Sequence, residues 1–515
     1  MSLLSKYNSF IVGIMITASL LSCTPENNEV SQREKPNVLF IAIDDLNDLV
    51  GTFGGHKQAL TPNIDNFANE SVSFSNAYCA SPGCNPSRSA LLSGRHTFRT
   101  GMYSNYQDWR LVPEITDFMT LPHYFKDQGY FTAGAGKIFH YQQVDTLAWH
   151  DYFPSIKRPM PREIMPEKRP VSMPRFKYMY GMFDWAPIAE PDSLTGDYRS
   201  VEYIIDQLER DHENPFFLSC GIYRPHLPWY VPQRYFDAFP LDSIRLPKIL
   251  NDDVKDLGSR AKELITRGGN YHKHVVAADQ WKMGIQGYLA STYYADAMVG
   301  RLLDALAKSR YADNTIVVLW SDHGWQLGEK EHWRKFALWD NVIKSILMIK
   351  VPNEIQGIKT HVANSSVVGG PVSLLDIYPT LLDLCDLPQR EKLDGQILTP
   401  WLKNPAAPND RSVISTYDYG DYSVRWGDWH LISYIDGSYE LYNLKDDPEE
   451  WKNLADEAQY SELKSKMIAM IPTDVVDLPE ASLIPLMEHH IPPVRSKSYY
   501  ESDERRSWMQ RFETN

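Results

Sequence analysis

The stretch Asn37-Val38-Leu39-Phe40-Ile41-Ala42-Ile43-Asp44-Asp45 decides the fold class. After Asn37 it runs apolar to Ile43, rich in β-branched residues and with no polar alternation. Such a run reads as a strand buried on both faces, the condition of a parallel sheet. Two aspartates follow at its C-terminal end, where open α/β sheets place their ligands. Residues 216–219 and 315–320 repeat the pattern. Ahead of the latter, Val299, Leu302, Leu303 and Leu306 fall at i, i+3, i+4 and i+7, an apolar helical stripe, and Asp313-Asn314 supply the turn. Residues 346–351 predict a further strand and 374–384 a helix. Strands alternating with helices over about 350 residues predict an α/β fold, with a large, mostly parallel, doubly wound sheet flanked by helices.

Outside that core the chain changes character. Residues 151–191 are rich in Pro, Met, Arg and aromatics without a period, and predict a long irregular insertion able to wall a pocket. Beyond Pro400, Pro405 and Pro408, residues 422–425, 429–434 and 439–442 predict antiparallel strands, with Asp436-Gly437 as a hairpin turn. We expect a main domain over 37–400 and a smaller C-terminal subdomain of antiparallel sheet plus helix over 401–515.

In 515 residues, 52 Lys+Arg against 66 Asp+Glu leave a net charge of −14. That field repels polyanions and excludes a general nucleic-acid binder, but a local basic pocket still admits a small anion. Five cysteines, Cys23, Cys79, Cys84, Cys220 and Cys385, are too few and scattered for a disulfide scaffold or a zinc ribbon. The N-terminus carries Lys6 and then an uncharged apolar run from Phe10 to Leu21, short for a membrane span and of signal-peptide length. It ends in Leu20-Leu21-Ser22-Cys23, which resembles a bacterial lipobox; an ordinary secretory cleavage near Ser22 is the other reading. The expectation is a lipoprotein signal over 1–22, lipidation of Cys23 and a polar tether over 23–36. Such a chain is exported and anchored to a bacterial membrane, in the periplasm or at the cell surface.

Cys84-Asn85-Pro86-Ser87-Arg88 continues as Ser89-Ala90-Leu91-Leu92-Ser93-Gly94-Arg95. Pro86 suits the first turn of a helix and Gly94 its C-terminal cap. Cys84 then stands at the helix N-terminus, where the dipole favours negative charge, and Arg88 follows on the same face one turn later. A nucleophile beside a guanidinium suits an anionic substrate. A structural cysteine at a loop-to-helix junction has the same local signature. Asp44 and Asp45 cannot both enter a core without a cation, although a helix cap or solvated turn also accommodates such a pair. Ser321-Asp322-His323-Gly324 lies at a second strand end. Gly136-Lys137-Ile138-Phe139-His140, the proline-flanked His226, and Lys335 in His332-Trp333-Arg334-Lys335 complete the candidates. Trp325, Trp333 and Trp229 read either as a sugar platform or as packing.

Cys-x-Pro-Ser-Arg followed by Leu-x-Gly-Arg resembles the type I sulfatase signature. Pro62-Asn63-Ile64-Asp65, Tyr294-Ala295-Asp296 and Glu440 to Glu449 with Asn453-Leu454 occur in that family's order. Gly136 to His140, His226 and Ser321 to Trp325 are similar to the iduronate-2-sulfatase branch. The resemblance implies an alkaline-phosphatase-like sulfatase fold. It implies that a formylglycine-generating maturation enzyme oxidises Cys84 to 3-oxoalanine (formylglycine). It implies a Ca2+ ion on Asp44, Asp45, residue 84, Asp322 and His323. A histidine there departs from the commonest oxygen-only pattern. It implies that Arg88, Lys137 and Lys335 neutralise the sulfate, that His226 protonates the leaving oxygen and that His140 acts as base. The substrate expected is a sulfated oligosaccharide, from glycosaminoglycan or algal polysaccharide. Two other classes are open: a phosphomonoesterase or phosphonate hydrolase of the same superfamily, and a glycan-binding lipoprotein without catalysis.

Overall fold

The computed structural model describes residues 35–116, 119–141, 143–166, 183–267, 269–352 and 366–484. The expected signal over 1–22 and Cys23 lie outside the described residues, as do 167–182 of the insertion. No helix among the described residues is long and apolar enough to cross a membrane.

Asn37–Ile43 is a strand with every residue buried. Parallel strands Phe216–Ile222 and Thr315–Ser321 pair on either side of it. Around these three an eight-stranded sheet is ordered Ser366–Val368, Val72–Phe74, Leu347–Lys350, Thr315–Ser321, Asn37–Ile43, Phe216–Ile222, Phe131–Gly136 and Asp151–Phe153. All its pairings are parallel except those of Leu347–Lys350, which runs antiparallel to both neighbours. The continuous apolar run is explained by the layers. Val38, Phe40 and Ala42 face one core together with Leu381 and Leu382 of helix Ile377–Leu384. Leu39, Ile41 and Ile43 face another, with Val201 and Ile204 of helix Gly196–Glu209 and Leu289, Met298 and Leu302 of helix Trp281–Lys308.

Two expectations need correction. The 151–191 stretch is not wholly irregular. Asp151–Phe153 forms the edge strand, and Trp185–Ile188 pairs in parallel with Trp229–Pro232. The C-terminal sheet has four antiparallel strands, not three: Ser412–Tyr417, Asp421–Trp426, Trp429–Ser433 and Tyr439–Asn443. The first escaped notice because its polar residues are buried by tertiary bonds. Ser415 Oγ donates to the Cys79 carbonyl at 2.6 Å, and the Thr416 amide to the Ala80 carbonyl at 2.9 Å. One face of this sheet adds Ile432 and Tyr442 to the main core; the other packs Leu431 and Leu441 on Met467 of helix Ser461–Ile468.

A buried arginine ties this sheet to the helix Ser259–Thr266. Arg260 donates through Nε to Asp421 Oδ2 at 2.7 Å and through Nη2 to Asp418 Oδ2 at 2.8 Å. Removing one partner of a buried ion pair strands the others at low dielectric. Arg260→Met is therefore expected to cost about 3–5 kcal/mol in urea unfolding. A loss below about 1 kcal/mol, the range of an exposed pair, would contradict this.

Candidate active site

Four strand ends converge on one edge. Ile43 is in register with Ser321 on one side and Ile222 on the other, and Gly136 is in register with Gly221. Asp44, Asp322, Tyr223 and Lys137 therefore leave the sheet together. The crossing is tight: a Cβ on Gly136, whose φ is +70°, would lie 2.1 Å from the Gly221 carbonyl oxygen. Cys84 arrives from helix Cys84–Ser93, with Pro86 in the first turn and Gly94 as a left-handed cap. The thiol stands at the positive end of that helix, as its motif predicts.

Asp45 turns through a left-handed backbone (φ 62°), which aspartate tolerates better than most residues. Both aspartates are fully buried. One ligand atom from each of Asp44, Asp45, Cys84 and His323 lies within 4.8 Å of the others. His323 Nδ1 meets the Gly324 carbonyl at 3.0 Å, which makes Nδ1 the protonated nitrogen. Its Nε2 lone pair then faces Asp45 Oδ1 at 3.3 Å and Cys84 Sγ at 3.5 Å. Asp45 Oδ2 is buried with no hydrogen-bond partner among the described residues. An orphaned carboxylate oxygen beside a second carboxylate and an imidazole lone pair fits a divalent cation. Asp322, expected as a further ligand, is engaged otherwise: Oδ2 accepts from Arg88 Nε at 2.8 Å and Oδ1 from the Asp45 amide at 3.1 Å.

The crowding shows in the protonation equilibria. Burial and Asp322 push the Asp44 carboxyl up, but Lys137, His226 and Arg88 outweigh them and hold it below the usual range. At Asp45 burial prevails over Lys335 and the carboxyl stays raised. Burial and Asp44 likewise push the Cys84 thiol up in spite of both lysines, so the free thiol is a weak nucleophile.

Lys335 Nζ lies 2.6 Å from Asp45 Oδ1 and 2.8 Å from Cys84 Sγ. Lys137 Nζ lies 3.7 Å from Sγ and donates to Asp44 Oδ2. A short hairpin, Gln326–Leu327 against Trp333–Arg334, delivers Lys335 between two left-handed residues, Arg334 (φ 85°) and Phe336 (φ 76°). Such backbone costs about 1–3 kcal/mol per residue and persists only where its surroundings impose it. His226 Nδ1 meets the Leu227 carbonyl at 2.5 Å and Nε2 lies 3.9 Å from Asp45 Oδ2. At 9% exposure it borders solvent, whereas Cys84, Lys137 and both aspartates have none. The His140 ring meets Tyr141 edge-on at 4.6 Å and makes no hydrogen bond with another described residue. Burial and then Lys137 lower its pKa, which puts it in the field of the cluster but not on Cys84.

Arg88 lies among the carboxylates at the strand ends. Nε serves Asp322, Nη2 serves Asp44 at 3.1 Å, and Nη1 serves the carbonyls of Lys137 and Ile138. These bonds brace the two carboxylates. Trp325, Trp333 and Trp229 do not form a sugar platform, being at most 1% exposed. Trp333 stacks on Trp185, Trp185 on Trp229, and Trp229 meets Trp325, a core beneath the site. Sequence reasoning missed Tyr288, whose hydroxyl donates to the Asp45 carbonyl at 2.8 Å. It also missed Asp197, which accepts the amides of Tyr223 (2.6 Å) and Arg224 (3.0 Å) just ahead of His226. No local motif marks either; both lie within helices that only the fold brings near.

The family model described as Sulfatase matches residues 36–387, and one described as N-sulphoglucosamine sulphohydrolase, C-terminal, matches 328–475. A sulfatase of Formosa agariphila is 36% identical over 473 residues, 89% of this chain and 90% of that protein. Iduronate 2-sulfatase of Homo sapiens is 29% identical over 362 residues, 66% of this chain and 64% of that protein. A solved structure in complex with its substrate, D-glucosamine-2-N,6-O-disulfate, aligns at TM-score 0.67 over 85% of this chain and 97% of that one; at 22% identity it speaks to the fold alone. The motif around Cys84, the carboxylate pair at the strand ends and the match over most of the chain agree: the protein belongs to the sulfatase family and is a hydrolase of sulfate esters.

Proposed function

We propose that the protein removes sulfate from a sulfated carbohydrate, a fragment of glycosaminoglycan or algal polysaccharide, with residue 84 matured to 3-oxoalanine and a bound Ca2+. The main support is geometric: two ammonium groups, Lys137 and Lys335, converge on Cys84 Sγ beside the orphaned Asp45 Oδ2. The likeness to an iduronate 2-sulfatase, an enzyme named for a sugar, favours a carbohydrate substrate.

Ca2+ held by Asp44, Asp45, His323 and residue 84, with Asp322 alongside, supplies a fixed positive charge that favours an oxygen anion at the site. Residue 84, once matured to 3-oxoalanine, would supply the oxygen nucleophile that a buried thiol cannot. The chain's own groups do the rest. Lys137 and Lys335 bind the sulfuryl oxygens, where charge develops in a site closed to water. Arg88 holds Asp44 and Asp322 in place. His226, oriented through Nδ1 by the Leu227 carbonyl, presents Nε2 to protonate the departing sugar oxygen. Burial, Lys137 and Lys335 hold His226 well below the usual imidazole range. A sulfate anion between the lysines acts in the opposite sense and favours the protonated ring that the step needs. His140, in the field of Lys137, would serve as the acceptor for a proton leaving the cluster. We further propose that the N-terminal signal exports the chain and that Cys23 anchors it by lipid.

Tryptic peptides spanning residue 84, from cells with a maturation enzyme, are expected to be lighter than the cysteine form by the mass separating cysteine from its aldehyde. Cys84→Ala should lower kcat by on the order of 10⁶-fold on a sulfated disaccharide. Retained turnover with unmodified cysteine would remove the aldehyde from the reaction. Chelation should abolish hydrolysis and Ca2+ restore it, with elemental analysis showing bound calcium. Full activity in a metal-free preparation counts against the ion. The phosphate counterpart of a cleaved sulfate ester should be the poorer substrate, and the reverse order favours the phosphatase alternative. Cys23→Ala should move the enzyme from membrane to soluble fractions; unchanged partitioning means no lipid is attached there.

A further inference from the structure

We propose that Tyr223 is a positioning residue for His226, its hydroxyl holding the Leu227 carbonyl that orients the imidazole toward the leaving oxygen. The inference rests on the sulfatase reading with His226 as proton donor. Strand Phe216–Ile222 ends just ahead of Tyr223, whose amide donates to Asp197 Oδ1 at 2.6 Å. Asp197 thereby fixes where the tyrosine leaves the sheet. Tyr223 then meets His226 and its loop in three ways. The His226 amide donates to the Tyr223 carbonyl at 2.9 Å. The two rings lie 4.6 Å apart, tilted by 37°. The Tyr223 hydroxyl donates to the Leu227 carbonyl at 3.0 Å, the same oxygen that meets His226 Nδ1.

A carbonyl oxygen only accepts, and its two lone pairs serve two donors. Here one takes the Tyr223 hydroxyl and the other the His226 Nδ1–H. Nδ1 is therefore the protonated nitrogen, and Nε2, 3.9 Å from Asp45 Oδ2, is the one that gives up a proton at the site. The bond from Nδ1 alone would let the carbonyl and the imidazole turn together. The phenol ties that oxygen to a ring that is itself held, at 4% exposure and with Lys137 Nζ 5.0 Å from its centroid. Burial, then Tyr141, pushes the Tyr223 phenol pKa up, so the hydroxyl stays a donor. A proton is transferred efficiently only along a fixed direction, which is what the second bond secures.

The test uses two leaving groups with the full-length enzyme, matured at residue 84 and loaded with Ca2+. A sugar alkoxide needs a proton to depart, whereas 4-nitrophenolate is stable without one. Tyr223→Phe keeps the ring and removes only the hydroxyl. It is expected to lower kcat on a sulfated disaccharide about tenfold more than on 4-nitrophenyl sulfate, with KM unchanged. His226→Ala sets the scale, with a differential loss of about 10²-fold or more. In the His226→Ala background, Tyr223→Phe should cost less than about twofold, since it acts through that ring. Tyr223→Met, which also lacks the hydroxyl, takes its place if the phenylalanine variant does not fold. If the substitution lowers both rates equally or not at all, or costs the His226→Ala enzyme as much as the wild type, the positioning role is overturned and the sulfatase reading stands. If His226→Ala does not distinguish the two leaving groups, His226 is not the proton donor and the role of Tyr223 falls with it. If the wild type cleaves no sulfate ester, the sulfatase reading itself falls.

Discussion

Three carboxylates, Asp44, Asp45 and Asp322, are buried together without solvent, and the structure around them exists to make that tolerable. Each buried ion carries a desolvation penalty of several kcal/mol, and like charges at this range add to it. Arg88 bridges Asp44 and Asp322, Lys137 joins Asp44, and Lys335 joins Asp45. One oxygen, Asp45 Oδ2, still lacks a hydrogen-bond partner among the described residues. The need for positive charge at this spot explains the left-handed hairpin end that delivers Lys335 and the glycine crossing that delivers Lys137.

The same need separates holding groups from acting ones. Arg88 is consumed by its neighbours, at 1% exposure. Its planar fork suits bridging two carboxylates, a task for which a lysine has the wrong shape. The lysines are point charges that pair with Asp44 and Asp45 and also reach Cys84. His226 borders both the buried charges and solvent. Beneath lies the stack of Trp333, Trp185, Trp229 and Trp325, a rigid floor of large rings.

Much of this was legible before any coordinates. The three central strands, the helix beginning at Cys84 and ending at Gly94, and the strand-end position of Asp44 and Asp322 were all readable, because each depends on local pattern. The orientation of Leu347–Lys350 was not, since a buried strand reads the same in either direction. Strand Ser412–Tyr417 was missed because its polar residues are satisfied by Cys79 and Ala80, more than 300 residues away. The tryptophans stayed open between platform and packing because an aromatic in sequence carries no mark of which face is covered.

The sequence by itself determined the α/β class, the strand-end location of the chemistry and the set of residue types assembled there. Periodicity, capping and the long motif around Cys84 are local, and local signals survive without the fold. Tertiary structure alone decided what each residue has left to give. It spent Arg88 on carboxylates, buried the tryptophans, turned Asp322 toward Arg88 and brought Asp197 and Tyr288 to brace the site. The reason is that a side chain's function depends on which of its donors, acceptors and faces are already taken, and the partners that take them lie far along the chain.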